Sequence, residues 1–153
     1  MKLRSIWNSF WSIFAPQRSG REPIHDDDRL FRRMIYAEPW TQCDPTGQPT
    51  SAAFSLRDGE QGISVDLERL TKPAISVKDP KGFRLCALRV GDVRKLLLTC
   101  WHDPLTDNRA HSQISTTENA PEACKVPDYV GKASFQKKAL RRALKDAAVM
   151  VPV

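Results

Sequence analysis

No run of about 18 consecutive apolar residues occurs in this sequence of 153 residues, which excludes a conventional transmembrane helix. Cysteine is sparse. Cys43, Cys86, Cys100 and Cys124 lie far apart with no Cys-x-x-Cys pair, a pattern of reduced thiols in a cytosolic protein rather than of a disulfide framework or zinc knuckle. No serine sits in a nucleophile-elbow sequence, and no histidine pair has the i, i+4 spacing of a metalloprotease helix. A cleavable secretory signal is not expected either, because Asn8, Ser9 and Ser12 break the apolar stretch and no small-residue cleavage site follows. What is present suffices for a core: 41% hydrophobic and 27% charged residues describe a folding chain, and the length suits one domain.

The formal charge of +6 is not spread evenly. Residues 25–133 are net −1, so the basicity belongs to the two ends, which is not how a dedicated nucleic-acid domain distributes charge over a binding face.

At the first end, residues 2–14 separate completely on a helical wheel. Leu3, Ile6, Trp7, Phe10, Trp11, Ile13 and Phe14 fall in one arc of about 160°, opposite Lys2, Arg4, Ser5, Asn8, Ser9 and Ser12. Pro16 stops the helix, and residues 16–24 read as an extended, flexible linker. Indole and phenyl rings favour a boundary that is apolar on one side and wet on the other, so Leu3, Ile6, Trp7, Phe10, Trp11 and Phe14 are candidate contacts to a membrane surface or a partner's groove. The alternative is that this helix packs on its own domain. Seven partly inserted apolar side chains give about 5–10 kcal/mol gross, much of it consumed by ordering the segment, so lipid attachment is expected to be weak and reversible.

In the body, Asp26, Asp27 and Asp28 run into Arg29-Leu30-Phe31-Arg32-Arg33-Met34-Ile35, which reads as a short helix capped by Asp28 with carboxylates at its positive end. A metal site formed by His25 and the three carboxylates lacks further local ligands. Residues 51–57 and 63–67 alternate as half-buried strands around the turn signal Asp58-Gly59 and predict a hairpin. Residues 82–90 are apolar on both faces, as a covered central strand would be, and Leu96–Trp101 predicts another buried strand. Cys86 and Cys100 are expected as small core residues.

Beyond that strand, His102, Asp103, Asp107, Asn108 and His111 fall within ten residues of a loop turned by Pro104. The bland reading is a loop pinned by Asp and Asn side chains. The sharper one makes His102, Asp103 and His111 catalytic, the two imidazoles converging with Asp103 orienting one of them. A Ser/His/Asp arrangement stays open, since Ser51, Ser55 and Ser64 lie on nearby predicted strands. The order Asp27-Asp28-Arg29-Leu30-Phe31-Arg32-Arg33, then Ser51-x-x-Phe54, Ser64-Val65-x-Leu67 and His102-Asp103-Pro104 with Asn108-x-Ala110-His111, resembles that of small uncharacterised bacterial proteins over roughly residues 26–115. The resemblance implies no activity and transfers no catalytic residue.

Residues 116–133 read as an irregular connection, and a helix follows over about 134–149 with Ser134 as cap and an apolar stripe through Leu140 and Leu144. Its bases Lys137, Lys138, Arg141, Arg142 and Lys145 make a solvated face or, alternatively, a phosphate-binding one; no aromatic is interleaved for base stacking.

The sequence thus predicts an α+β domain over 25–153: a small, mostly antiparallel sheet over about 50–115 with short helical turns before it, a packed C-terminal helix and a semi-detached N-terminal helix over 1–15. Three functions are expected in order. The first is a non-enzymatic interaction or accessory module, cytoplasmic or peripheral at the inner face of the membrane, attached through residues 2–14. The second is a small hydrolase or transferase with its site in the 102–111 loop, and the third is nucleic-acid binding through the last helix. No cofactor or metal is expected.

Overall fold

The computed structural model describes residues 20–153. Six strands, β1 (Arg29–Ile35), β2 (Gly62–Leu67), β3 (Phe83–Arg89), β4 (Thr99–His102), β5 (His111–Ser115) and β6 (Val149–Val151), form one sheet in the order β4-β5-β2-β1-β3-β6. Every neighbouring pair is antiparallel. Three helices accompany it: α1 (Pro73–Ser76), α2 (Val90–Lys95) and α3 (Lys138–Ala147). The domain is therefore α+β with an antiparallel sheet. The amphipathic segment 2–14 and the first part of the linker lie outside the described residues.

The two faces of the sheet are covered unequally. On one face Leu30, Met34, Ile63, Leu67, Leu88 and Ile114 meet Phe54, Val93, Leu98 and Leu144 in the main core. On the other, Phe31, Leu85, Ala87 and Val151 meet only Val77, just beyond α1, in a small second cluster under β1 and β3. The half of this second face over β2 and β5 has no such apolar cover, and Ser64 stands exposed there.

Three readings of the sequence are corrected. Residues 29–35 are not a capped helix but β1, one of the two central strands of the sheet and paired with β3 along its full length, from Arg29 opposite Arg89 to Ile35 opposite Phe83. Leu30 and Met34 are four apart, a spacing that shares one side in a helix and in a strand alike; Phe31 is buried on the opposite side, which only the strand permits. Residues 51–57 are not a strand: Ser51–Phe54 is a 3-10 turn whose consecutive Ala53 and Phe54 are both buried, and Phe54 shares the main core with Leu144 of α3. The Asp58-Gly59 turn exists, with Gly59 at φ 81°, but it closes no hairpin, because β2 pairs with β1 and β5.

Elsewhere the reading of 82–90 as a central strand holds, and that of Leu96–Trp101 holds in part: Leu96 and Leu97 form the turn after α2, with Leu97 at φ 62°, and the strand starts at Thr99. Leu85, Cys86, Ala87 and Leu88 of β3 are all buried, and β4 ends the apolar run after Leu98. Cys86 and Cys100 are core residues. The final helix begins at Lys138, four residues later than read, and is followed by β6, an edge strand not legible in the sequence. Residues 20–24 are irregular but not loose: Ile24 is buried, its carbonyl accepts from Arg94, and the carbonyl of Pro23 accepts from Arg69. No helix among the described residues is long and apolar enough to cross a membrane.

Candidate functional site

Strands β1 and β2 pair only at Leu30 opposite Leu67 and Phe31 opposite Asp66, and then part. Where they part, side chains take over the work of the ladder. Arg32 donates from Nε to the carbonyl of Ala53 and from Nη1 to the carbonyl of Ser64, both at 3.0 Å, and the amide of Ile35 donates to Oε1 of Gln42 at 2.8 Å. The result is a cleft of about 510 Å³ that opens on the second face where the strands part, and Arg32, which leaves β1 on the main-core side with Leu30 and Met34, reaches it through the gap. Arg32, Arg57 and Glu60 line it with Ser64, His111 and Asn108, and its apolar wall includes Phe83 and Leu105. Its size falls in the range of small-ligand sites.

Ser64 and His111 meet on this face because their strands are paired: Ser64 lies opposite Gln113, so His111 is its diagonal neighbour on the same side. Oγ of Ser64 is 3.3 Å from Nε2 of His111. On the far side of the ring, Nδ1 of His111 is 2.8 Å from the carbonyl of Asp103, with the carboxylate Oδ2 at 3.6 Å. A carbonyl only accepts, so Nδ1 carries the proton and Nε2 presents its lone pair to Ser64. Gln113 donates to Oδ2 of Asp103 at 3.3 Å and steadies the loop end. The chain of contacts Gln113, Asp103, His111, Ser64 has the order of an orienting group, a base and a hydroxyl.

His102 takes no part in it. His102 lies opposite Ser112 and is next to it in side-chain direction, whereas His111, adjacent to Ser112 along β5, points to the other face. The two imidazoles therefore do not share a site. His102 is 1% exposed; its Nδ1 accepts the amide of Glu22 at 2.8 Å, which leaves Nε2 to donate to the carbonyl of Arg109 at 2.6 Å. Its ring fastens the segment before β1 to the 103–110 loop. Asn108 pins that loop from within, donating to Asp66 and accepting from the amide of Ala110. Among the sequence-derived candidates the structure thus brings together Asp103, His111 and, of the three serines considered, Ser64.

The acidic cluster is spent on arginines from three different elements: Asp26 pairs with Arg94, Asp27 with Arg89 and Asp28 with Arg69. Glu22 pairs with Arg69 and Arg109. The hydrogen bond from Arg69 holds the Glu22 carboxyl below its ordinary value, and that from Arg94 does the same for Asp26. No group of three His, Cys, Asp or Glu side chains suited to a metal ion occurs among the described residues. Lys137, just before α3, and Lys138, Arg142 and Lys145 on it are exposed, while Arg141 is turned back onto the carbonyls of Phe135 and Gln136.

The residues with no signal in the sequence are Arg32 and Arg57, because a cleft that opens between parting strands depends on pairing between distant segments. The only local hint was a pair of arginines, Arg32 and Arg33, inside an apolar run. Compared with known proteins, the chain matches no family model, no curated protein sequence and no solved structure.

Proposed function

We propose that the chain is a small hydrolase or transferase that works in the cleft between β1 and β2, with His111 as base and Ser64 as the hydroxyl it activates. The observation that carries this reading is the contact between Ser64 Oγ and His111 Nε2, with Nδ1 held at Asp103 and the hydroxyl exposed at the cleft. As Oγ bonds to the electrophilic centre of the substrate, its proton passes to Nε2. The same proton leaves with the departing group. Water or another acceptor, deprotonated by Nε2, then displaces Oγ, and Ser64 regains its proton. Arg32, bonded to the carbonyl of Ser64, sets a fixed positive charge beside the reacting position.

The test is labelling of the full chain with a neutral fluorophosphonate probe, with the modified residue located by peptide mass spectrometry. Modification of Ser64, slowed about 100-fold or more by His111→Ala, supports the reading. Ser64 left unmodified, or modified equally in both proteins, refutes it.

The sequence pattern of residues 2–14 supports a second, compatible role as an attachment segment for a lipid surface or a protein partner. Because residues 20–24 are fastened to the body, the comparison is flotation of the full chain with anionic vesicles against a chain beginning at Gly20. Equal flotation removes the lipid role.

A further inference from the structure

We infer that the cleft receives a phosphate monoester carried on an apolar body, with the guanidinium groups of Arg32 and Arg57 holding the phosphate. This names the substrate class of the hydrolase or transferase reading, but the binding site rests on observations of its own.

The first is a contrast in pairing. Arg29, Arg69, Arg89, Arg94 and Arg109 each have a carboxylate within 4 Å. The bases that line the cleft, Arg32, Arg33, Arg57 and Lys78, make no ion pair with any carboxylate of the described residues. Arg32 is half-buried and bonded only to the carbonyls of Ala53 and Ser64, neither of which neutralises its charge. A guanidinium has five N–H donors, and these two bonds leave Nη2 without a described acceptor. Burial lowers the pKa of Arg32; Cys86 and Glu60 oppose that shift in part, and the like charges of Arg57 and Arg33 add smaller contributions that lower it. A desolvated charge without a counter-ion is costly, and an anion entering the cleft removes that cost.

Three carboxylates also line the cleft, and they limit where the anion goes. Asp66 is engaged at both oxygens, by Ser76 and by Asn108. Glu60 is turned onto its own loop, accepting the amide of Arg57 at 2.9 Å. Asp107 lines the cleft from the 103–110 loop, with Leu105 and Asn108. The position facing Arg32 and Arg57 therefore keeps two forked donors against one carboxylate already in use, which suits the charge and three acceptor oxygens of a phosphate.

The second observation is the apolar wall. Ile35 and Leu105, 42% and 47% exposed, line this same cleft together with Phe83, whose ring lies 5.3 Å from the guanidinium of Arg33. Exposed large side chains gathered at a cleft are the usual mark of a surface that becomes covered by ligand.

The experiment is isothermal titration of the full chain with inorganic phosphate and with phenyl phosphate, on wild type, Arg57→Gln and Arg142→Gln. Arg57 is exposed and no side-chain bond of it is lost, and Arg142 removes the same charge from α3. Binding of phenyl phosphate at least about tenfold tighter than inorganic phosphate, weakened about tenfold by Arg57→Gln and unchanged by Arg142→Gln, is expected. No binding to wild type, or equal losses in both variants, overturns the inference. Binding without fluorophosphonate labelling of Ser64 leaves the phosphate site standing and removes the catalytic reading; labelling without binding does the reverse.

Discussion

Nη1 of Arg32 lies 3.0 Å from the carbonyl of Ser64, so a side chain of β1 occupies the place where a backbone amide of that strand would continue the ladder to β2. One contact thus keeps the sheet's polar groups satisfied and holds a gap open between two strands. It also ties the charge of Arg32 to the residue whose hydroxyl faces His111. Structure and candidate chemistry share the same few atoms.

The two histidines of the 102–111 stretch should behave differently. His102→Ala leaves the amide of Glu22 and the carbonyl of Arg109 without partners, and unfolding in urea should show a loss of about 1–3 kcal/mol. His111→Ala, at a cleft wall, should lose less stability while abolishing the reactivity of Ser64. Equal destabilisation by both would contradict the separate roles.

Burial pushes the thiols of Cys86 and Cys100 up to about 12 from an ordinary 9.0. Their pKa is raised in the folded state, so the unfolded chain loses these protons first. Stability is intact below pH 9 and declines between pH 9 and 12, by about 1.4 kcal/mol per pH unit for each thiol. The double variant Cys86→Ala/Cys100→Ala should show a shallower alkaline slope in urea midpoints. In the native protein at pH 8, a disulfide thiol reagent should modify Cys124, which is partly exposed, and spare Cys43, Cys86 and Cys100.

On the acid side the sign reverses. Glu22 and Asp26 have lowered pKa values, through hydrogen bonds from Arg69 and Arg94 respectively, so their contribution is present above the ordinary carboxylate range and disappears as pH falls through the folded values. Glu22→Gln/Asp26→Asn should flatten the fall in stability below about pH 4, and added salt should mimic part of that effect in wild type. An acid limb of unchanged slope in the variant would argue against these pairs.

Leu144 is the one fully buried residue of α3 and packs into the main core. Leu144→Ala should cost about 2–5 kcal/mol in unfolding free energy. Lys138→Ala, on the exposed face, should leave the midpoint nearly unchanged.

Some of this protein is written locally. Two-sided apolarity fixed β3, period-two alternation marked β2, and the stripe through Leu140 and Leu144 marked the last helix, because each reports a burial pattern within a few residues. The same locality explains the failures. The spacing of Leu30 and Met34 fits helix and strand equally, and only seven residue pairs with β3, 48 to 60 positions away, decide for the strand. His102, Asp103 and His111 were visible as a cluster, yet which imidazole faces the cleft depends on the register of β5 against β2 and β4. Arg32 and Arg57 were simply charged residues until the parting of β1 and β2 placed them beside Ser64. The sequence by itself determined the α+β class of residues 20–153 and that the excess positive charge lies towards the two ends of the chain. Strand pairing decided where the cleft opens and which side chains enter it, because the position of a side chain across a sheet is set by a partner strand that local sequence does not contain.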